Sequence, residues 1–116
     1  MLWGKFDYGV ADMDEMVNID DLEITEEWTS EGDEIDYAVY NGVAFTGTAY
    51  KKTERLYSES QYLDGYEHGR YFSIYPNGQL SSEGYMEHGD MLTGTSWYPS
   101  GKIKSYYRKV MLMRPK

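Results

Sequence analysis

Two histidines, His68 and His88, stand 20 positions apart, and each is followed by glycine. With Glu67, Glu87 and Asp90 beside them they are the natural candidates for a metal site. Their spacing matches no ligand pattern for zinc or another transition ion, which needs several donors converging on one point. The simpler expectation is that both occupy an equivalent, solvent-facing turn position. Carboxylates cluster at Asp12-Asp14-Glu15, Asp20-Asp21 and Glu31-Asp33-Glu34-Asp36. A calcium loop would add a glycine and a closing glutamate at fixed offsets, and neither follows. Ser73, Ser81, Ser82 and Ser96 fall on regular strand positions without the flanking glycines of a nucleophile elbow. There is no cysteine to supply a thiolate, and no acid pair has an apolar pocket to tune it for proton transfer. The expectation is a chain without catalytic residue, metal or cofactor, and not an enzyme.

The acids then read as a surface. Residues 1–40 hold 13 of them and only Lys5, whereas residues 41–116 hold 7 acidic and 10 basic side chains. The net charge of −9 therefore belongs to the front of the chain. Such a front repels nucleic acid and anionic membrane and attracts basic partners; its simplest alternative role is solubility. Aromatics are the second resource, with 13 tyrosines and 3 tryptophans in 116 residues. They cover area while keeping a polar tip in water, which suits a thin sheet and protein interfaces. The length allows one domain, residues 1–116. No apolar run approaches the ~20 residues that span a bilayer, and the N-terminus lacks the apolar core of a signal peptide. The expected location is the cytoplasm.

The elements that must carry these side chains are hairpins. Tyr75-Pro76-Asn77-Gly78 suits a tight turn, because proline presets φ and glycine accepts φ > 0. It sits between the runs 69–75 and 79–85. The module returns as Gly94 to Tyr106, with Tyr98-Pro99 and Gly101 each 23 positions after their counterparts. A weaker copy precedes both at Gly47-Thr48-Ala49-Tyr50 and Leu56-Tyr57-Ser58-Glu59. Asn41-Gly42, between 35–40 and 43–50, is a further hairpin signal, and Asp64-Gly65 another turn. Upstream, 17–20 alternates as a strand, Asp20-Asp21 marks a bulge or turn, and 22–24 resumes. Ala11 to Met16 could form one helical turn. The fold class is all-β, an antiparallel meander of repeated hairpins with a ~23-residue period in a single or wrapped layer. The acidic segment 17–36 is placed to cap the first sheet edge, and proline at 115 stops pairing in the tail.

These turns and joins, with Phe45-Thr46-Gly47-Thr48, His68-Gly69-Arg70-Tyr71, Gln79-Leu80-Ser81-Ser82-Glu83, His88-Gly89 and Trp97-Tyr98-Pro99-Ser100-Gly101-Lys102-Ile103-Lys104, resemble the MORN-repeat-variant family, which includes YwqK-type antitoxins of bacteria. The resemblance covers residues 35–109 as three repeats, leaving 1–34 as an acidic lead-in and 110–116 as a tail. The first unit departs from it in having Lys51-Lys52-Thr53-Glu54-Arg55 as its turn, and the third has Ser100-Gly101 for Asn-Gly. The resemblance implies a β-meander that binds another protein, in some members a toxin that it neutralises, and it brings no catalytic residue. Together with the charge, it gives the expectation of an immunity protein acting on a basic toxin, such as a nuclease or deaminase domain whose polyanionic substrate requires a basic patch. Glu26, Glu27, Glu31, Asp33, Glu34 and Asp36 would meet that patch, with Trp28, Tyr37, Tyr71 and Trp97 as anchors. The alternatives are a scaffold assembling through its sheet edges and a module at a membrane surface. Neither nucleic acid nor membrane is an expected partner.

Overall fold

The aromatic and β-branched runs become strands in the computed structural model, which describes residues 16–109. In chain order these are β1 (Val17–Asn18), β2 (Glu23–Trp28), β3 (Glu34–Tyr40), β4 (Val43–Ala44), β5 (Gly47–Lys52), β6 (Tyr57–Leu63), β7 (Tyr66–Ile74), β8 (Leu80–Glu87), β9 (Asp90–Trp97) and β10 (Ile103–Arg108). The architecture is all-β and mostly antiparallel, with no α-helix among the described residues. A seven-stranded sheet has the order β1-β5-β6-β7-β8-β9-β10, and a three-stranded sheet the order β2-β3-β4. From β5 to β10 each strand pairs antiparallel with the next in sequence.

Turn chemistry accounts for the reversals. Asn41 and Gly42, at φ 52° and 81°, close β3 onto β4, and Asp64-Gly65 repeats this pattern at 52° and 96°. At the other end of the large sheet the two proline turns lie side by side. The Tyr75 hydroxyl donates to the Trp97 carbonyl at 2.7 Å, and Asn77 Nδ2 donates to the Pro99 carbonyl at 3.1 Å.

The run 43–50 does not form the single strand its sequence suggests. It breaks at Phe45-Thr46, β4 staying with β3 and β5 starting the large sheet. Phe45 is the reason. Its ring packs on Tyr62 and Tyr40 and joins Leu22, Ala38, Ala49 and Tyr62 in the buried cluster between the sheets. Burying a phenylalanine is worth about 2–3 kcal/mol, more than extending one hairpin by two residues. The division between the two sheets therefore falls at Phe45-Thr46, inside the stretch 35–109. The acidic stretch covers the first edge less than expected. Only Val17 and Asn18 pair with β5, in parallel. A 3-10 turn at Ile19–Asp21, capped by the Asn18 side chain, then leads into the other sheet. The expected helical turn at 11–16 and the tail after 109 lie outside the described residues, Met16 excepted.

Small side chains line one face of the large sheet. Ser58, Ser73, Ser82, Ser96 and Ser105 are paired in succession across β6 to β10, with the Ser73 and Ser82 hydroxyls 2.6 Å apart. In the next row Tyr71 lies over Gly84 and Gly94. A Cβ at either glycine would come within 2.8 and 2.6 Å of the tyrosine. An aromatic ring thus covers backbone that has no side chain of its own.

Candidate interaction surface

The β2–β3 hairpin and its loop carry seven acids, Glu23, Glu26, Glu27, Glu31, Asp33, Glu34 and Asp36, and no basic side chain. Its strands pair Glu26 with Asp36 and Trp28 with Glu34, while Glu27 faces Ile35 and Thr25 faces Tyr37. Because side chains alternate between faces, Glu26, Trp28, Glu34 and Asp36 share one face with Ile24 and with Ala38, which is buried in the core at the base of the hairpin. Carboxylates directly opposite one another destabilise a sheet. The strain shows in the ionisation of Glu34, raised above the ordinary glutamate range by its hydrogen bond with Glu26, by partial desolvation, and by the charges of Glu26 and Asp36. No salt bridge reaches this face among the described residues, where the ion pairs are Arg70 with Glu83 and Lys109 with Asp90. Trp28 stands 70% exposed and Ile24 40% exposed within it.

The other face of the hairpin fastens it to the large sheet. The Tyr66 hydroxyl donates to Glu27 Oε1 at 2.6 Å, and the Tyr66 ring rests between Tyr37 and His88, with centroids 5.1 and 4.1 Å away. Tyr37 occupies the space above Gly65, where an added Cβ would lie 2.3 Å from the ring. Ile35 sits in the same way over Gly89. The Ala38 amide donates to the Gly65 carbonyl at 2.8 Å, and the Gly65 amide donates to Phe45 O at the same distance. β3 thus runs across the β6–β7 and β8–β9 turns. The loop that closes the hairpin is organised by Thr29, whose Oγ1 accepts from the Glu31 and Asp33 amides, leaving both acids exposed at the tip.

Of the expected contact residues, then, Glu26, Trp28, Glu34 and Asp36 come together, and Glu31 and Asp33 adjoin them on the loop. Glu27 and Tyr37 are spent on internal contacts. Tyr71 lies over the glycine pair of the large sheet, its hydroxyl 3.8 Å from Met91 Sδ, and Trp97 ends β9 under the Tyr75 hydroxyl. Neither is part of the hairpin. The residue that sequence reading missed is Ile24, which stepping back two at a time from Trp28 would have found. A second is Glu67, a half-buried carboxyl on β7 held above its ordinary range by burial first and by the Asp36 charge second, with a hydrogen bond from Ser60 working the other way.

The histidines are not equivalent. His68 lies within β7, whereas His88 is a turn residue at φ 50° whose amide donates to His68 Nδ1 at 3.3 Å. Both are exposed. Among the described residues no group of three or more His, Asp or Glu side chains is placed to hold a metal ion, and no helix is long and apolar enough to cross a membrane. A shallow groove of about 470 Å³ runs beside Val17, Tyr40, Val43 and Phe45. Its described lining is mainly apolar, with Tyr40 the one titratable side chain. No family model matches the chain, and no curated protein or solved structure shows a significant match to it.

Proposed function

We propose that the chain is a non-catalytic binding module whose β2–β3 face, built from Ile24, Glu26, Trp28, Glu34 and Asp36, docks on a basic protein and neutralises it stoichiometrically. One observation carries this reading: like charges are held opposite one another around an exposed tryptophan, with no salt bridge to them among the described residues. A surface that is costly to assemble alone becomes favourable when a partner supplies the missing positive charge, and complementary charge also speeds encounter. Trp28 is the residue type that anchors such contacts. The resemblance of the turns to MORN-repeat-variant proteins favours a toxin enzyme as the partner. A domain acting on nucleic acid fits best, because it already carries a basic patch for its polyanionic substrate.

The test is capture from host lysate on the immobilised chain at low and high salt, with Glu26→Lys/Asp36→Lys and Trp28→Ala as controls. The expected result is one basic protein in stoichiometric amount, released by salt, with affinity reduced about 10- to 100-fold by the charge reversal. Retention that ignores both salt and the substitutions would refute this reading.

A further inference from the structure

Four strands border the sheets among the described residues. β1 and β4 are two residues each, which leaves β2 of the small sheet and β10 of the large one as the long edges. An open edge presents a row of free backbone donors and acceptors and is a template for another strand. Both strands are six residues long. β10 is exposed along its whole length, with Ile103 and Tyr106 each 63% and Tyr107 47% exposed. Their charges are opposite. β2 carries Glu23, Glu26 and Glu27 and no cation, whereas 102–109 carries Lys102, Lys104, Arg108 and Lys109 and no acid. Lys109 is engaged by Asp90 and Lys104 lies over the Tyr98 ring, 5.8 Å from its centroid.

Like edges repel and unlike edges attract, so the charges discourage β10 from pairing with β10 and β2 with β2. The side chains also select a direction. When the six residues of each strand are laid antiparallel in full overlap, Arg108 faces Glu23 and Lys104 faces Glu27. The same register sets Tyr107 against Ile24, Tyr106 against Thr25 and Ile103 against Trp28. Facing pairs of this kind are the unit of sheet stability. A parallel overlap would instead put Ile103 against Glu23 and Lys104 against Ile24. The register of β10 on β9 shifts between Ile103 and Ser105, so that Lys104 has no partner on β9.

We propose that β10 of one copy adds antiparallel to β2 of a second copy, with Arg108 opposite Glu23 and Lys104 opposite Glu27, so that the chain assembles head to tail. The two surfaces differ, so the contact is heterologous. It builds open chains, or rings if the rotation closes, and not a twofold dimer. The assembly needs no second protein and does not rest on the partner binding proposed above, although the two contacts share Ile24 and Trp28.

Sedimentation velocity of the full chain over a range of concentrations, at low and high salt, tests this. The expected result is mass that grows with concentration at low salt and falls when salt screens the pairs. Lys104→Glu/Arg108→Glu and Glu23→Lys/Glu27→Lys should each remain monomeric, and an equimolar mixture of the two should assemble. Circular dichroism melts establish that each variant folds. Because Glu27 also receives the Tyr66 hydroxyl, Glu23→Lys alone serves as a second acidic-side variant, raising the concentration for half-assembly about tenfold. A wild type monomeric at every concentration in low salt, assembly that survives either charge reversal, or a mixture that stays monomeric would overturn the proposal.

Discussion

The two sheets solve the problem of facing side chains in opposite ways. Across the large sheet, neighbours suit each other: Ser73 meets Ser82, Tyr71 covers Gly84 and Gly94, and Arg70 reaches Glu83 at 2.6 Å. In the small sheet Glu26 faces Asp36, and Glu34 stands beside both. The first sheet is held by its own residues. The second is held by what it leans on, namely Gly65, Tyr66 and the Phe45 cluster. Elements of low intrinsic stability are where proteins place surfaces that respond to ligands, so the contrast supports the proposal that recognition falls to the hairpin.

The largest effect should come from the large sheet's crowded glycines. Gly84→Ala puts a Cβ 2.1 Å from the Thr93 carbonyl oxygen and 2.8 Å from the Tyr71 ring. Backbone cannot yield as a side-chain tip can, so the loss should be about 3 kcal/mol and global. Thermal unfolding reads it, and a variant melting within a few degrees of wild type would contradict the account. Gly65→Ala should cost about 2 kcal/mol, from its φ of +96° and from displacing Tyr37. Here the damage should be local. Hydrogen exchange should speed up in β2 and β3 while β7 to β9 keep their protection; uniform loss would mean that the sheets are one cooperative unit.

This contrast was partly written in the sequence. The turns were legible because Asn-Gly, Asp-Gly and Pro-Asn-Gly solve local backbone problems with local residues. The all-β class followed from them, and the acidic front followed from the distribution of charge. What could not be read was where a run changes sheet, since 43–50 is a good strand by pattern and breaks only because Phe45 finds Tyr62 and Leu22. The same limit hid the duties of Glu27, Tyr37 and Tyr71. Their partners Tyr66, Gly65 and Gly84 are 39, 28 and 13 positions away, and an aromatic committed to a glycine looks no different in sequence from one left free. The histidines misled for a related reason: both precede glycine, but only His88 turns.

A smaller effect of opposite sign is expected on the acidic face. Asp36→Asn removes a charge facing Glu26 and should stabilise the protein by about 0.5 kcal/mol at low salt, with the gain shrinking as salt is added. Urea unfolding at two ionic strengths measures it. Destabilisation at low salt would show that Asp36 has a compensating partner. The substitution also separates the two proposed activities. It should weaken capture of a basic partner while leaving head-to-tail assembly through Glu23 and Glu27 in place.

The smallest effect is a slope with pH, and it again sets the two sheets against each other, because Glu67 of the large sheet sits near Asp36 of the small one. Burial, and then the Asp36 charge, raise the Glu67 carboxyl above its ordinary value of 4.5, and Glu34 is raised as well. The folded chain therefore binds these protons more tightly than the unfolded chain. Between the ordinary and raised values the folded state carries more protons, so stability falls as pH rises through that window and is greatest below it. Lowering pH from neutrality toward the ordinary carboxylate value should raise the melting temperature, the reverse of a protein held by carboxylate ion pairs. Glu67→Gln should be more stable than wild type at neutral pH and should show a shallower slope, Glu34 supplying what remains. A wild type that loses stability steadily over this range, or a Gln variant with an unchanged slope, would mean that Glu67 is solvated and that the junction between the sheets is more open than its contacts indicate.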